Sequence, residues 1–156
     1  MPTDQEKIAF KNTLKRWALD LIRQRIAAAQ EAMQQAQEAA NSEEKSTAGD
    51  KYETGRAMGH LQRDMHARQL AESVKELATL HGVQTETCCE EGKPGALLQT
   101  DEVAFFISIG LGRQSPDGHN IVFLSPQAPL AKLLQDKRPG DSVQFNRQTV
   151  VIREVY

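Results

Sequence analysis

Ile22-Arg-Gln-Arg-Ile-Ala-Ala-Ala-Gln-Glu-Ala-Met-Gln-Gln-Ala-Gln-Glu-Ala-Ala40 carries apolar residues at Ile22, Ile26, Ala29, Met33, Ala36 and Ala40, in alternating steps of four and three. That spacing keeps a narrow stripe on one face of a helix, the seam of a coiled coil. Phe10, Leu14, Trp17 and Leu21 extend the apolar pattern upstream, and there is no Gly or Pro between Gln5 and Ala40. The expected helix has roughly 35 residues and a length of about 50 Å at ~1.5 Å per residue. No globular domain of this size needs a helix so long, and a stripe so narrow must be covered by a second helix.

The second helix follows a break at Asn41–Glu53. Leu61 and Met65, then Ala67, Leu70, Val74, Leu77 and His81, recur at helical spacing and stop at Gly82, while Gly55 and Gly59 loosen the first turns. A short connection requires an antiparallel pair, and the small side chains of Ala29, Ala36 and Ala40 allow close approach near the connection. After Gly82 the period changes to two, with turn signals at Gly92–Gly95, Ser115-Pro-Asp-Gly118 and Arg138-Pro-Gly-Asp141. Strands are expected at Val83–Thr87, Ala96–Gln99, Val103–Ile109, Asn120–Leu124, Asp141–Phe145 and Thr149–Val155. Pro129–Gln135 reads as a short amphipathic helix burying Leu130, Leu133 and Leu134. The fold class is therefore α+β. Residues 1–82 form an antiparallel helical hairpin (coiled coil) with an acidic tip near 41–54, and residues 83–156 form a small β-rich domain with one short helix.

Composition agrees with this division. Aromatics make up only 5% of the chain, and five of the eight lie after residue 100, whereas the first half runs on Ala, Gln, Glu, Lys and Arg. A net charge of -2 argues against a general nucleic-acid binder, so no independent DNA binding is expected. Lys7, Lys11, Lys15, Arg16, Arg23 and Arg25 face Asp20 alone in residues 7–25; Glu31, Glu38, Glu43, Glu44, Asp50 and Glu53 face only Lys45 and Lys51 in residues 26–55. One end of the hairpin is basic and its tip is acidic, although solvated helix faces show such patterns too. The adjacent Cys88 and Cys89 suit neither a metal knuckle nor a disulfide framework and are expected to be reduced and partly buried. The N-terminus lacks the features of a signal peptide and no window approaches ~18 apolar residues, so the expected location is cytoplasmic, with no membrane partner.

Asp50 and Glu53 are three apart and project from one helical turn if the second helix starts near Asp50. Two readings fit that spacing. Thr47-x-x-Asp50 and Asp50-x-x-Glu53 both match a capping box; the same pair is also a partial Mg²⁺ site, needing further ligands from a partner. Glu43, Glu44 and Arg56 are possible contributors at the tip, and ordinary solvated positions otherwise. His60 and Asp64, at i and i+4, are a weak metal pair on an exposed face.

The overall plan resembles the bacterial transcript cleavage factors of the Gre family. Ser125-Pro-Gln-Ala-Pro-Leu-Ala-Lys-Leu-Leu-Gln-Asp-Lys-Arg-Pro-Gly-Asp-Ser-Val143, closing in Val151-Ile-Arg-Glu-Val-Tyr156, is similar to that family's run of Ser-Pro, Leu/Ala helix, Gly-Asp turn and final strand. Gly49-Asp50-Lys51-Tyr52-Glu53-Thr54 is similar to its tip, Gly-Asp-Leu-Lys-Glu-Asn; beyond Glu53 the family continues Asn-Ala-Glu-Tyr where this chain has Thr54-Gly-Arg-Ala57. The resemblance implies an FKBP-like C-terminal domain and a hairpin that enters the secondary channel of RNA polymerase, anchored at the rim. Asp50 and Glu53 would supply ligands to a Mg²⁺ shared with the polymerase active site, near the 3′ end of backtracked RNA. The protein would then be no enzyme itself, hold no stable cofactor, and stimulate hydrolysis by the polymerase. Two alternatives stand beside this: a Gre-related channel regulator without cleavage activity, and an FKBP-like peptidyl-prolyl isomerase. Isomerases of that kind have a Trp at the floor of their pocket, and the single Trp here is Trp17.

Overall fold

A computed structural model describes the backbone of residues 2–44 and 49–156 and the side chains of residues 2–42 and 57–156. The architecture is mixed α+β: a long N-terminal helix, a second helix, then a mixed sheet with one short helix. Helix α1 spans Asp4–Glu44 and α2 spans Gly49–His81. Strands β1 (Leu97–Gln99), β2 (Ala104–Ile107), β3 (Gly112–Gln114) and β4 (Ile121–Leu124) precede α3 (Pro129–Leu134); β5 (Ser142–Phe145), β6 (Gln148–Val151) and β7 (Glu154–Val155) follow it. The start of α1 has a cap that the apolar pattern does not reveal: Thr3 Oγ1 accepts the Glu6 N–H at 3.2 Å, with Asp4 and Glu6 beside the positive end of the helix dipole.

The chain divides into two compact units, one of residues 1–19 with 79–156 and the other of Asp20–Ala78. The division runs through both long helices, while Gly82 marks the point where helix gives way to extended chain. In the Asp20–Ala78 unit, Ile22, Ala29, Ala36 and Ala40 are buried as their spacing requires. The stripe expected on α2 is covered only in part. Leu61, Met65 and Val74 are at least half exposed, whereas Ala67, Leu70 and Leu77 of the same stripe are partly buried, along with Arg63 and His66 beside them. Gly59 lies so close to α1 that a Cβ there would sit 2.7 Å from the Ala40 Cβ and 3.2 Å from its Cα.

In the other unit, β3-β4-β2-β1-β7 form a five-stranded sheet in which β2 and β4 run parallel and every other pair antiparallel. Both faces are covered. Leu98, Phe105 and Ile107 pack with Leu130, Ala131 and Leu134 of α3, and with Val143 and Ile152. On the opposite face Phe106 meets Phe123 with ring centroids 5.8 Å apart, and Trp17 of α1 stacks on Phe123 at 5.8 Å. Burial on both sides explains why β2 reads as a continuous apolar run. Each fully buried Phe contributes about 1.5–3 kcal/mol.

Three expectations need correction. Leu133 is 42% exposed, because Leu130, Ala131 and Leu134 form the buried face of α3. The strand expected over Thr149–Val155 is interrupted, since Ile152 N–H turns to Asp141 O and Arg153 N–H to Gln99 O, so β6 and β7 join different sheets. Val83–Thr87 is not a strand, although Val83 and Thr85 are buried and Gln84 and Glu86 exposed. Side chains from α1 take the polar groups that a neighbouring strand would have paired.

Gly59→Ala tests the close approach. Helix propensity alone favours Ala by about 1 kcal/mol, whereas overpacking against Ala40 costs about 1–3 kcal/mol. The substitution should therefore lower stability in denaturant unfolding followed by circular dichroism, and Ala40→Gly in the same chain should restore most of the loss. A more stable Gly59→Ala protein contradicts the contact.

Candidate functional site

The acids singled out by sequence fall around the junction of α1 and α2. By backbone position Glu43 and Glu44 are the last described residues of α1, Asp50 and Glu53 are the second and fifth of α2, and Arg56 is the eighth. Their side chains, and the expected Mg²⁺ ligand set with them, lie outside the described residues. Position alone still carries electrostatic information. Asp50 and Glu53 sit where the α2 dipole favours negative charge, which serves capping and metal binding alike. Sequence reading took Glu43 and Glu44 as possible contributors at a helix end; residues 45–48, which follow them, lie outside the described residues.

Beyond this junction the helices are held by short side chains and one guanidinium. Gly59 meets Ala40, and half-buried Arg63 donates from Nη1 to Gln37 Oε1 at 3.0 Å while its Nη2 lies 3.3 Å from Asp64 Oδ1. Arg63 is thus a tie between helices, and Asp64 is engaged by it.

The unit containing the sheet is built around Lys11. Its side chain is fully buried, and Nζ donates to Thr87 O at 2.9 Å and Tyr156 O at 3.3 Å, with Cys89 Sγ at 3.8 Å. One turn later Lys15 Nζ donates to Val83 O at 2.8 Å and His81 O at 3.3 Å, and Thr85 donates its hydroxyl to Asn12 Oδ1. Burial pulls the Lys11 ammonium below its ordinary pKa, opposed in part by Cys89 and Cys88. Cys88 and Cys89 are free, the second buried and the first half-buried. Burial also raises the Tyr156 hydroxyl, with Glu154 adding to the shift, and Lys7 lies 5.0 Å from the Tyr156 ring centre.

The same unit contains a cavity of about 680 Å³ between the sheet and the β5–β6 hairpin, lined by Phe105, Val122, Leu130 and Phe145 among others. Asp101 on its rim accepts two bonds from Arg153, Nε at 3.0 Å and Nη2 at 3.1 Å, which hold its carboxyl below the usual range. Trp17 is absent from this lining and stacks on Phe123 instead.

Compared with known families and proteins, the chain matches no family model and no curated protein. Among the described residues no helix is long and apolar enough to cross a membrane.

Lys11 gives the sheet-containing unit a particular pH dependence. Between its depressed folded pKa and the unfolded value of 10.5 the unfolded chain binds more protons, so stability from this group rises with pH through that window. The stability difference between wild type and Lys11→Met should therefore widen in favour of wild type as denaturant titrations move from neutral to alkaline pH. A difference independent of pH shows that the ammonium is not perturbed.

Proposed function

We infer that this chain is a Gre-like transcription elongation factor. On this reading residues 1–82 are an antiparallel helical hairpin that inserts its tip into the secondary channel of RNA polymerase, and an FKBP-like C-terminal domain anchors at the channel rim. The contacts of Ala40 with Gly59 and of Gln37 with Arg63 are compatible with such a hairpin, since they step backwards along α1 as they step forwards along α2. The observation that carries the reading is the acidic junction: Glu43 and Glu44 late in α1, followed by Gly49-Asp50-x-x-Glu53 at the start of α2.

Asp50 and Glu53 would hold a Mg²⁺ jointly with the polymerase, and the ion would supply charge neutralisation and an activated water for hydrolysis of backtracked RNA. Acids at a tip have no walls of their own to exclude water. They gain a dry, shaped site only inside a partner, so the hydrolysis belongs to the polymerase and this chain acts as an accessory factor. Glu43, Glu44 and Arg56 would tune the charge of the approaching tip. Thr54-Gly-Arg-Ala57 departs from the Gre pattern and favours a second reading, a channel regulator that occupies without cleaving. An isomerase is disfavoured, because the only Trp packs on Phe123 and not in the cavity.

Incubation with a stalled, backtracked elongation complex and Mg²⁺ should shorten the RNA. Asp50→Ala and Glu53→Ala should each slow shortening about tenfold or more while leaving polymerase binding intact. Binding without shortening by wild type selects the regulator, and no binding rejects both. If the acids act chiefly as caps, each substitution instead costs about 1 kcal/mol of stability.

A further inference from the structure

The β5–β6 hairpin forms a two-stranded sheet of its own. Its register pairs Ser142 with Val151, Val143 with Val150, Gln144 with Thr149 and Phe145 with Gln148, and just beyond it the Ile152 N–H donates to Asp141 O at 2.9 Å. Antiparallel pairs alternate between hydrogen-bonded and non-hydrogen-bonded. Val150 and Gln148 therefore share the parity of Ile152 and point their backbone groups at β5, while Thr149 and Val151 point theirs the other way. Among the described residues that outer edge has no strand beside it. Thr149 and Val151 also line the cavity, together with Thr100–Val103. A row of unpaired N–H and C=O groups beside an apolar floor is a template for another strand.

We propose that this cavity is a peptide-docking site, taking an extended segment of a partner polypeptide that pairs with β6. Main-chain bonds to Thr149 and Val151 supply register, and alternate side chains of the segment turn inward onto Phe105, Val122, Leu130 and Phe145. A volume of about 680 Å³ accommodates one or two such side chains and no folded element. Charge selects among extended segments. Arg153 neutralises Asp101 through two hydrogen bonds, whereas Glu102 and Arg113, also on the cavity wall, are exposed and make no ion pair among the described residues. The segment accordingly carries an inward apolar residue with a basic neighbour for Glu102 and room for an acidic one beside Arg113. The inference rests on the sheet-containing unit alone and is separate from the reading of the acidic junction.

The test is retention of the full chain on an array of random heptapeptides. Wild type should select peptides with apolar residues at alternate positions and Lys or Arg beside one of them. Glu102→Lys should shift the selected neighbour to Asp or Glu. Thr149→Pro should reduce retention about tenfold, because it removes an outward N–H and leaves the β5 pairing untouched, a position where an edge strand tolerates Pro. Hydrogen exchange on the wild type needs no variant: a selected peptide should slow the Thr149 and Val151 amides about tenfold relative to the free protein. The proposal is overturned if no peptide is retained above the bare support, or if retained peptides leave both amides exchanging as before.

Discussion

A buried ammonium organises the sheet-containing unit. Lys11 is fully shielded, and desolvating a charge of that size costs several kcal/mol unless its donors are satisfied. They are satisfied by the main-chain oxygens of Thr87 and Tyr156, with the Cys89 thiol nearby. One side chain thereby fixes three separate stretches: the early turns of α1, the extended chain after α2, and the end of β7. With Lys15 on Val83 O and His81 O, the helix supplies the donors that a neighbouring strand would have supplied. That substitution is why the segment alternates like a strand yet joins no sheet.

Much of the fold was legible in the sequence, and the failures share a cause. Periodicity located both long helices, the short helix starting at Pro129, and the strands around Phe105, Val122 and Val143, because each is decided by local apolar spacing. The α2 stripe was read only in part, since Leu61, Met65 and Val74 are exposed, and the close contact of Gly59 with Ala40 carries no hydropathy signal. Val83–Thr87 was misjudged because its partners are Lys15 and Lys11, 68 and 76 positions upstream of Val83 and Thr87, and charged side chains count as surface in any hydropathy reading. β3 went unseen, being short, Gly-led and largely exposed. As for the candidate site, spacing left Asp50 and Glu53 between caps and ligands and only the resemblance singled them out, while the cavity beside β6 could not be read at all. Its walls come from Thr100–Val103 and Gln148–Val151, which only the folded sheet brings together.

One local disadvantage persists in this protein: among the described residues, the outer edge of β6 leaves backbone groups without a strand. A strand edge of that kind gains bonds once paired. The stable parts of the structure, meanwhile, are ordinary. Buried Phe side chains, small residues at the helix contact and satisfied backbone groups hold the elements around this exposed edge.

The bond from Lys11 to Tyr156 O joins residues 145 positions apart, whereas Arg63 and Gln37 are separated by 26. Contacts of such different range form on different schedules. During synthesis at about 5–20 residues per second, the Asp20–Ala78 unit has all its residues well before Tyr156 emerges. The early turns of α1 must wait, with Lys11 lacking one of its acceptors, until residues 145 positions downstream have been made. α1 is thus completed only after the sheet strands that follow it, and the sheet-containing unit cannot close while its own strands are still being added.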